Sequence, residues 1–122
     1  MYNITNEDIL KLDKFMKSED IEKSSIQSGR DENGNVEFVG YQFKHTERKS
    51  KNTGKIFIDI TKDLEGRFEM SAKFICGFDA ILSIGNCGFN FDSGHFNSML
   101  FRIIRPTEQL IRLGLYGENN ES

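Results

Sequence analysis

Tryptophan is absent from these 122 residues, proline occurs once, at Pro106, and cysteine twice, at Cys76 and Cys87. Each scarcity excludes something. Two cysteines cannot build the framework that staples a small secreted domain, so a reducing cytoplasm is the expected location, with a single bridge as the alternative. A lone proline beside a substantial charged fraction argues against a disordered or low-complexity chain, although residues 29–35 and 117–122 are polar enough to be loose. No apolar run reaches the roughly eighteen residues of a membrane span, and the opening residues lead into acids rather than into a basic and then an apolar segment. Neither a membrane partner nor a signal peptide is expected. A phosphate loop is missing as well, since Asn52-Thr53-Gly54-Lys55 lacks the upstream glycine and the following Ser or Thr. No cofactor is expected.

Phenylalanine occurs 11 times, so aromatic bulk must supply much of the packing in one domain spanning residues 1–122. Ile56, Ile58 and Ile60 alternate with Phe57, Asp59 and Thr61. After Leu64-Glu65-Gly66, Phe68, Met70, Ala72 and Phe74 alternate with Glu69, Ser71 and Lys73. A period of two sends successive side chains to opposite faces, which predicts two antiparallel strands sharing an apolar face.

Thr5 and Asp8 stand at capping-box spacing before Ile9, Leu12, Phe15 and Met16, predicting an N-terminal helix to about Lys17. Residues 20–26 fit a helix or a strand equally. Asn33-Gly34 marks a turn, and the apolar phase shift from Val36 and Phe38 to Val39, Tyr41 and Phe43 predicts a bulge beside Gly40. Residues 80–84 and 98–104 read as further strands, and residues 107–114 as a short helix closed by glycine. The expected class is α+β: an N-terminal helix, an antiparallel sheet of about five strands with hairpin connections, and a short C-terminal helix.

Charge is unevenly placed within a net −3. Residues 1–35 carry eight acids against five bases, and residues 44–55 carry five bases against one acid. The acids Glu7, Asp8, Asp13, Glu19, Asp20 and Glu22 are the natural surface for a basic protein partner. Such a protein would be a small cytosolic module, bacterial or phage, that blocks another macromolecule as immunity proteins, antitoxins and phage-encoded inhibitors do. The alternative is a nucleic-acid contact through Lys44, Arg48, Lys49, Lys51 and Lys55 on a hairpin tip, with Tyr41, Phe43 and Phe57 near for stacking.

An enzyme reading rests on Cys87, in Gly85-Asn86-Cys87-Gly88, with His95 downstream as a base. Packing is the expected role of that cysteine, and no catalytic residue is assigned. Cys76, Cys87, His45 and His95 are zinc-type donors at spacings that match no paired-ligand pattern, so no metal is expected. Asp59, Asp79 and Asp92 are candidates for a carboxylate cluster. Phe89, Phe91 and Phe96 are expected to form an exposed apolar patch.

Overall fold

The alternating stretch in the middle of the chain forms two adjacent strands, β3 (Thr53–Lys62) and β4 (Phe68–Cys76), in a computed structural model that describes residues 3–76 and 80–115. Ile56 lies opposite Phe74, Ile58 opposite Ala72 and Ile60 opposite Met70, and all six are fully buried. β2 (Val36–Thr46) extends the same face, with Val39, Tyr41 and Phe43 opposite Ile60, Ile58 and Ile56. With β1 (Glu22–Arg30) and β5 (Ala80–Gly88) the result is a five-stranded antiparallel sheet in the order β1-β2-β3-β4-β5. Residues 20–26 therefore resolve to a strand from Glu22 onward.

Two of the connections use one turn design. Asp31 and Asp63 each accept at Oδ1 from the backbone N–H groups two and four residues on, at 2.8–2.9 Å. Three residues after each aspartate, Gly34 and Gly66 take φ of 83° and 81°, which glycine adopts without a Cβ penalty. These hydrogen bonds hold both carboxyls below the usual range: the backbone bond from Asn35 is the main cause at Asp31, and that from Arg67 at Asp63. The 29–35 segment is thus a well-bonded turn, while residues 117–122 lie outside the described residues.

The phase shift around residues 36–39 comes from Glu37, not Gly40. Gly29 pairs with Phe38 and Arg30 with Val36, leaving Glu37 as the extra residue. Gly40 faces a larger irregularity in β1: Lys23 pairs with Tyr41 and Ser28 with Val39, so residues 24–27 arch out opposite Gly40 alone. The Ser24 hydroxyl donates to the Ile26 carbonyl and fastens the arch.

Both helices cover the Ile56/Ile58/Ile60 face. α1 (Asn6–Ser18) begins with the capping box read from sequence, Asp8 N–H donating to Thr5 Oγ1 and Thr5 N–H to Asp8 Oδ2. It buries Leu12 and Met16, and the Tyr41 hydroxyl donates to Asp13 at 2.7 Å. Burial, followed by this bond to Asp13, pushes the Tyr41 hydroxyl far above its usual pKa. α2 (Ser93–Arg112) runs 20 residues and corrects two expectations. Residues 98–104 are helical rather than a strand, and the C-terminal helix is long rather than confined to residues 107–114. Phe96, Met99, Ile103, Ile104, Thr107 and Ile111 form its buried stripe at three- and four-residue spacing. Pro106 sits inside this helix and removes the bond that its N–H would have made to the Arg102 carbonyl.

Phe15, Phe68, Phe89, Phe91 and Phe96 meet edge to face between the helices and the end of β4, with centroids 5.2–6.3 Å apart. The expected exposed patch is therefore core. Phe96 and Phe89 are buried, and Phe91 is half-buried beneath the Lys11 ammonium at 5.3 Å. No helix among the described residues is long and apolar enough to cross a membrane.

Candidate functional site

The basic segment 44–55 is built into the fold at its tip. Glu47, the one acid in it, is 2% exposed. Its carboxylate accepts from Ser50 N–H at 2.8 Å and from Arg112 Nη2 at 2.8 Å, and the Arg112 bond is the main cause that holds it well below the ordinary carboxylate range. Asn52 Nδ2 donates to the carbonyls of Ile111 and Arg112 at 3.1 and 3.2 Å. The Ile111 carbonyl also accepts from Gly114 N–H at 3.0 Å, and the Arg112 carbonyl is one of those that a helix C-terminus leaves without an intrahelical partner. His45 Nε2 lies 3.1 Å from Glu108 Oε2, and Gly54 packs where any Cβ would strike Ile111 and Phe74. The hairpin tip is a clasp on the end of α2.

That clasp joins two sequence-distant sets of cations. Arg48, Lys49 and Lys51 are exposed on the tip, with Lys51 at φ 65°. Phe101, Arg105, Glu108 and Arg112 follow at four-, three- and four-residue spacing along one side of α2. Glu108 bonds His45 of β2, which fixes that side as the one facing the hairpin. Arg105 is exposed and Phe101 is 57% exposed. Lys44 is exposed at the base of the hairpin, and Lys55, its cross-strand neighbour, is half-buried. Of the aromatic residues expected near this surface, Tyr41 is buried under α1, Phe43 is half-buried against the core beside Lys44 and Leu100, and Phe57 lies on the opposite face of the sheet. Phe101 takes their place. The sequence pattern places it on a strand, and no signal there marks it as an exposed aromatic.

The six acids do not all share one surface: Asp13, Asp20 and Glu22 line one groove of about 500 Å³, while Glu7 and Asp8 stand toward the start of α1. Asp8 is committed to the α1 cap and to Lys62 Nζ at 2.7 Å. Burial raises its pKa, but the Lys62 and Thr5 bonds outweigh this and the net shift is downward. Asp13 accepts from Tyr41 and from Lys23 Nζ at 2.9 Å. Glu7 is exposed near the start of α1, and Glu19, Asp20 and Glu22 cluster at its far end, about 16 Å from Asp8 along the axis. That second trio lines a groove of about 370 Å³ facing Lys44 and Leu100.

Cys87 and His95 do come together, on the wall of an open cleft of about 690 Å³ between the β4–β5 edge and the start of α2, which Glu69 and Arg102 also line. The chemistry runs against a nucleophile. Burial is the main cause that pushes the Cys87 thiol up, and Glu69 adds to this against the opposing Arg102, so the thiolate is disfavoured at neutral pH. The zinc set does not assemble either: His45 is at the C-terminal end of α2 and His95 at its N-terminal end, about 20 Å apart by helix rise. The Cys76 side chain lies outside the described residues. Among the described residues no three His, Cys, Asp or Glu side chains gather as a metal site. Nor do the carboxylates cluster. Asp59 pairs with Lys73 Nζ at 2.7 Å, and Asp92 caps α2 by accepting from Gly94 and His95 N–H; Asp79 lies outside the described residues.

No family model, curated protein or solved structure matches this chain. Residues and geometry alone carry the functional reading.

Proposed function

We propose that this protein is a non-enzymatic binding protein that holds single-stranded nucleic acid along the ridge formed by Phe101 and Arg105 on α2, Arg112 at its end, and Arg48, Lys49 and Lys51 on the β2–β3 hairpin. The clasp carries the reading: Asn52 and Glu47 fix the hairpin to the helix end, so cations separated by more than fifty residues lie on one rigid surface. Phosphates would be met by the exposed bases, and one base could stack on Phe101. The net charge of −3 opposes long-range attraction, so binding depends on this local field and is strongest at low salt.

Fluorescence anisotropy with a labelled oligo-dT tests it. Binding should weaken with salt with a logarithmic slope of about −3, as four or five phosphate contacts to a single strand require. Replacing Arg48, Lys49 and Lys51 by Glu should abolish binding, and Phe101→Ala should cost about 1–3 kcal/mol. No binding by the wild type at about 50 mM salt would end the proposal.

A second reading has one observation in its favour: Glu19, Asp20 and Glu22 lie together beside a groove, a surface suited to a basic protein such as a toxin blocked by an immunity protein or antitoxin. Charge reversal there should slow association with such a partner and leave oligonucleotide binding unchanged or improved.

A further inference from the structure

The two edges of the sheet are unequal. β1 is interrupted by the four-residue arch opposite Gly40 and carries Glu22, Lys23 and Arg30, the devices that keep an edge strand from recruiting another strand. β5 has none of these charges. Its sequence, Ala-Ile-Leu-Ser-Ile-Gly-Asn-Cys-Gly, is uncharged over nine residues. It pairs with β4 on one side only, and among the described residues no strand lies on the other. A bulge divides it, since Gly85 pairs with Ala72 and Ser83 with Lys73, leaving residue 84 as the extra residue. The stretch from Ala80 to Ser83 is regular, each residue paired in turn with Cys76 through Lys73.

A second observation lies beside that stretch. Met99 and Arg102 line the same cleft as Cys87 and Gly88, which fixes the side of α2 that faces the β5 edge. Pro106, Leu110 and Leu113 continue this row at helical spacing. Pro106 is exposed, Leu110 half-buried and Leu113 67% exposed. They lie toward the end of the helix at which Ile111 and Phe74 converge on Gly54, and Phe74 pairs with Leu82. The uncharged, regular half of the edge strand is therefore flanked by an exposed apolar row.

We propose that β5 pairs antiparallel with β5 of a second copy of this chain, about a twofold axis at which one residue of the 80–83 stretch meets its own copy, joining two sheets into one of ten strands with the Pro106/Leu110/Leu113 rows of the two α2 helices alongside. A second copy is the occupant because an uncharged strand meets itself without repulsion. Antiparallel pairing also sets residues equally spaced about that axis opposite one another on the same face of the sheet, and the same twofold brings one apolar row to the other. The interface consists of backbone hydrogen bonds and apolar surface, so salt should not weaken it. The nucleic-acid ridge lies on the other side of α2 and stays open in the dimer.

Sedimentation velocity of the full chain from about 1 to 100 µM reads the proposal. The expected result is a concentration-dependent shift from 14.0 kDa toward twice that mass. Ser83→Lys should raise the dissociation constant by at least about tenfold, and the shift should persist in about 1 M salt. Should Ser83→Lys fail to fold, Leu113→Lys, at an exposed position, gives the same readout. Amide exchange should show the alternate amides of residues 80–83 that point away from β4 protected at the high concentration and not at the low. A monomer throughout would overturn the proposal, as would a dimer that neither lysine weakens.

Discussion

Glu47 lies in the most basic segment of the chain and is the residue that turns that segment from a loose tip into a fixed one. Its side chain accepts from Arg112 and Ser50, and its backbone closes the loop through Glu47 N–H to Asn52 O and Lys51 N–H to Glu47 O. Since folding lowers its pKa, the contribution is complete above the unfolded value near 4.5 and is lost as pH falls from there through the folded value. Glu47→Gln removes it at neutral pH. The difference in urea midpoint between wild type and variant should then be largest at about pH 7 and shrink below about pH 4.5; a constant difference would assign the effect to packing rather than charge. None of this was legible in sequence. A single acid among five bases reads as a solvated charge, because its partner Arg112 lies 65 residues away. The Thr5–Asp8 cap was legible because both partners fall within one turn.

At the scale of elements, local patterns are legible in the sequence and long apolar runs are not. The alternation of residues 56–60 and 68–74 gave β3 and β4 because hydrophobic and polar positions differ cleanly there. Residues 99–104 are apolar at every position but Arg102, so periods of 2 and 3.6 fit equally, and Pro106 looked like a stop while it in fact lies on the exposed side of a continuing helix. The β1 arch was invisible for a related reason: its cause is the absence of a side chain on the neighbouring strand. A Cβ at Gly40 would collide with the Ile26 carbonyl and approach Ser24 Oγ. Gly40→Ala should destabilise the protein by about 1–3 kcal/mol and speed amide exchange in residues 23–28 more than in α2. Uniform acceleration would mean that the arch has no independent stability.

At the scale of the molecule, both helices cover one face of the sheet and among the described residues no helix covers the other, which sets the response to substitution along a single strand. Phe74 is fully buried, whereas its neighbour Lys73 is exposed and holds Asp59 at 2.7 Å on the other face. Phe74→Ala should cost about 3–5 kcal/mol, and Lys73→Ala or Glu69→Ala under about 0.5, by denaturant midpoint. Equal losses would mean that both faces are covered. The strand order carries a consequence for how this structure forms. Every strand pairs with the one just before it, so during synthesis each new strand finds its partner already exposed, and the sheet can zip in the direction of translation with only short loops to close. The contacts of Asn52 and Glu47 with the end of α2 span 59 to 65 residues and must wait until the helix has emerged, so the nascent chain would carry an assembled sheet before the proposed nucleic-acid surface exists.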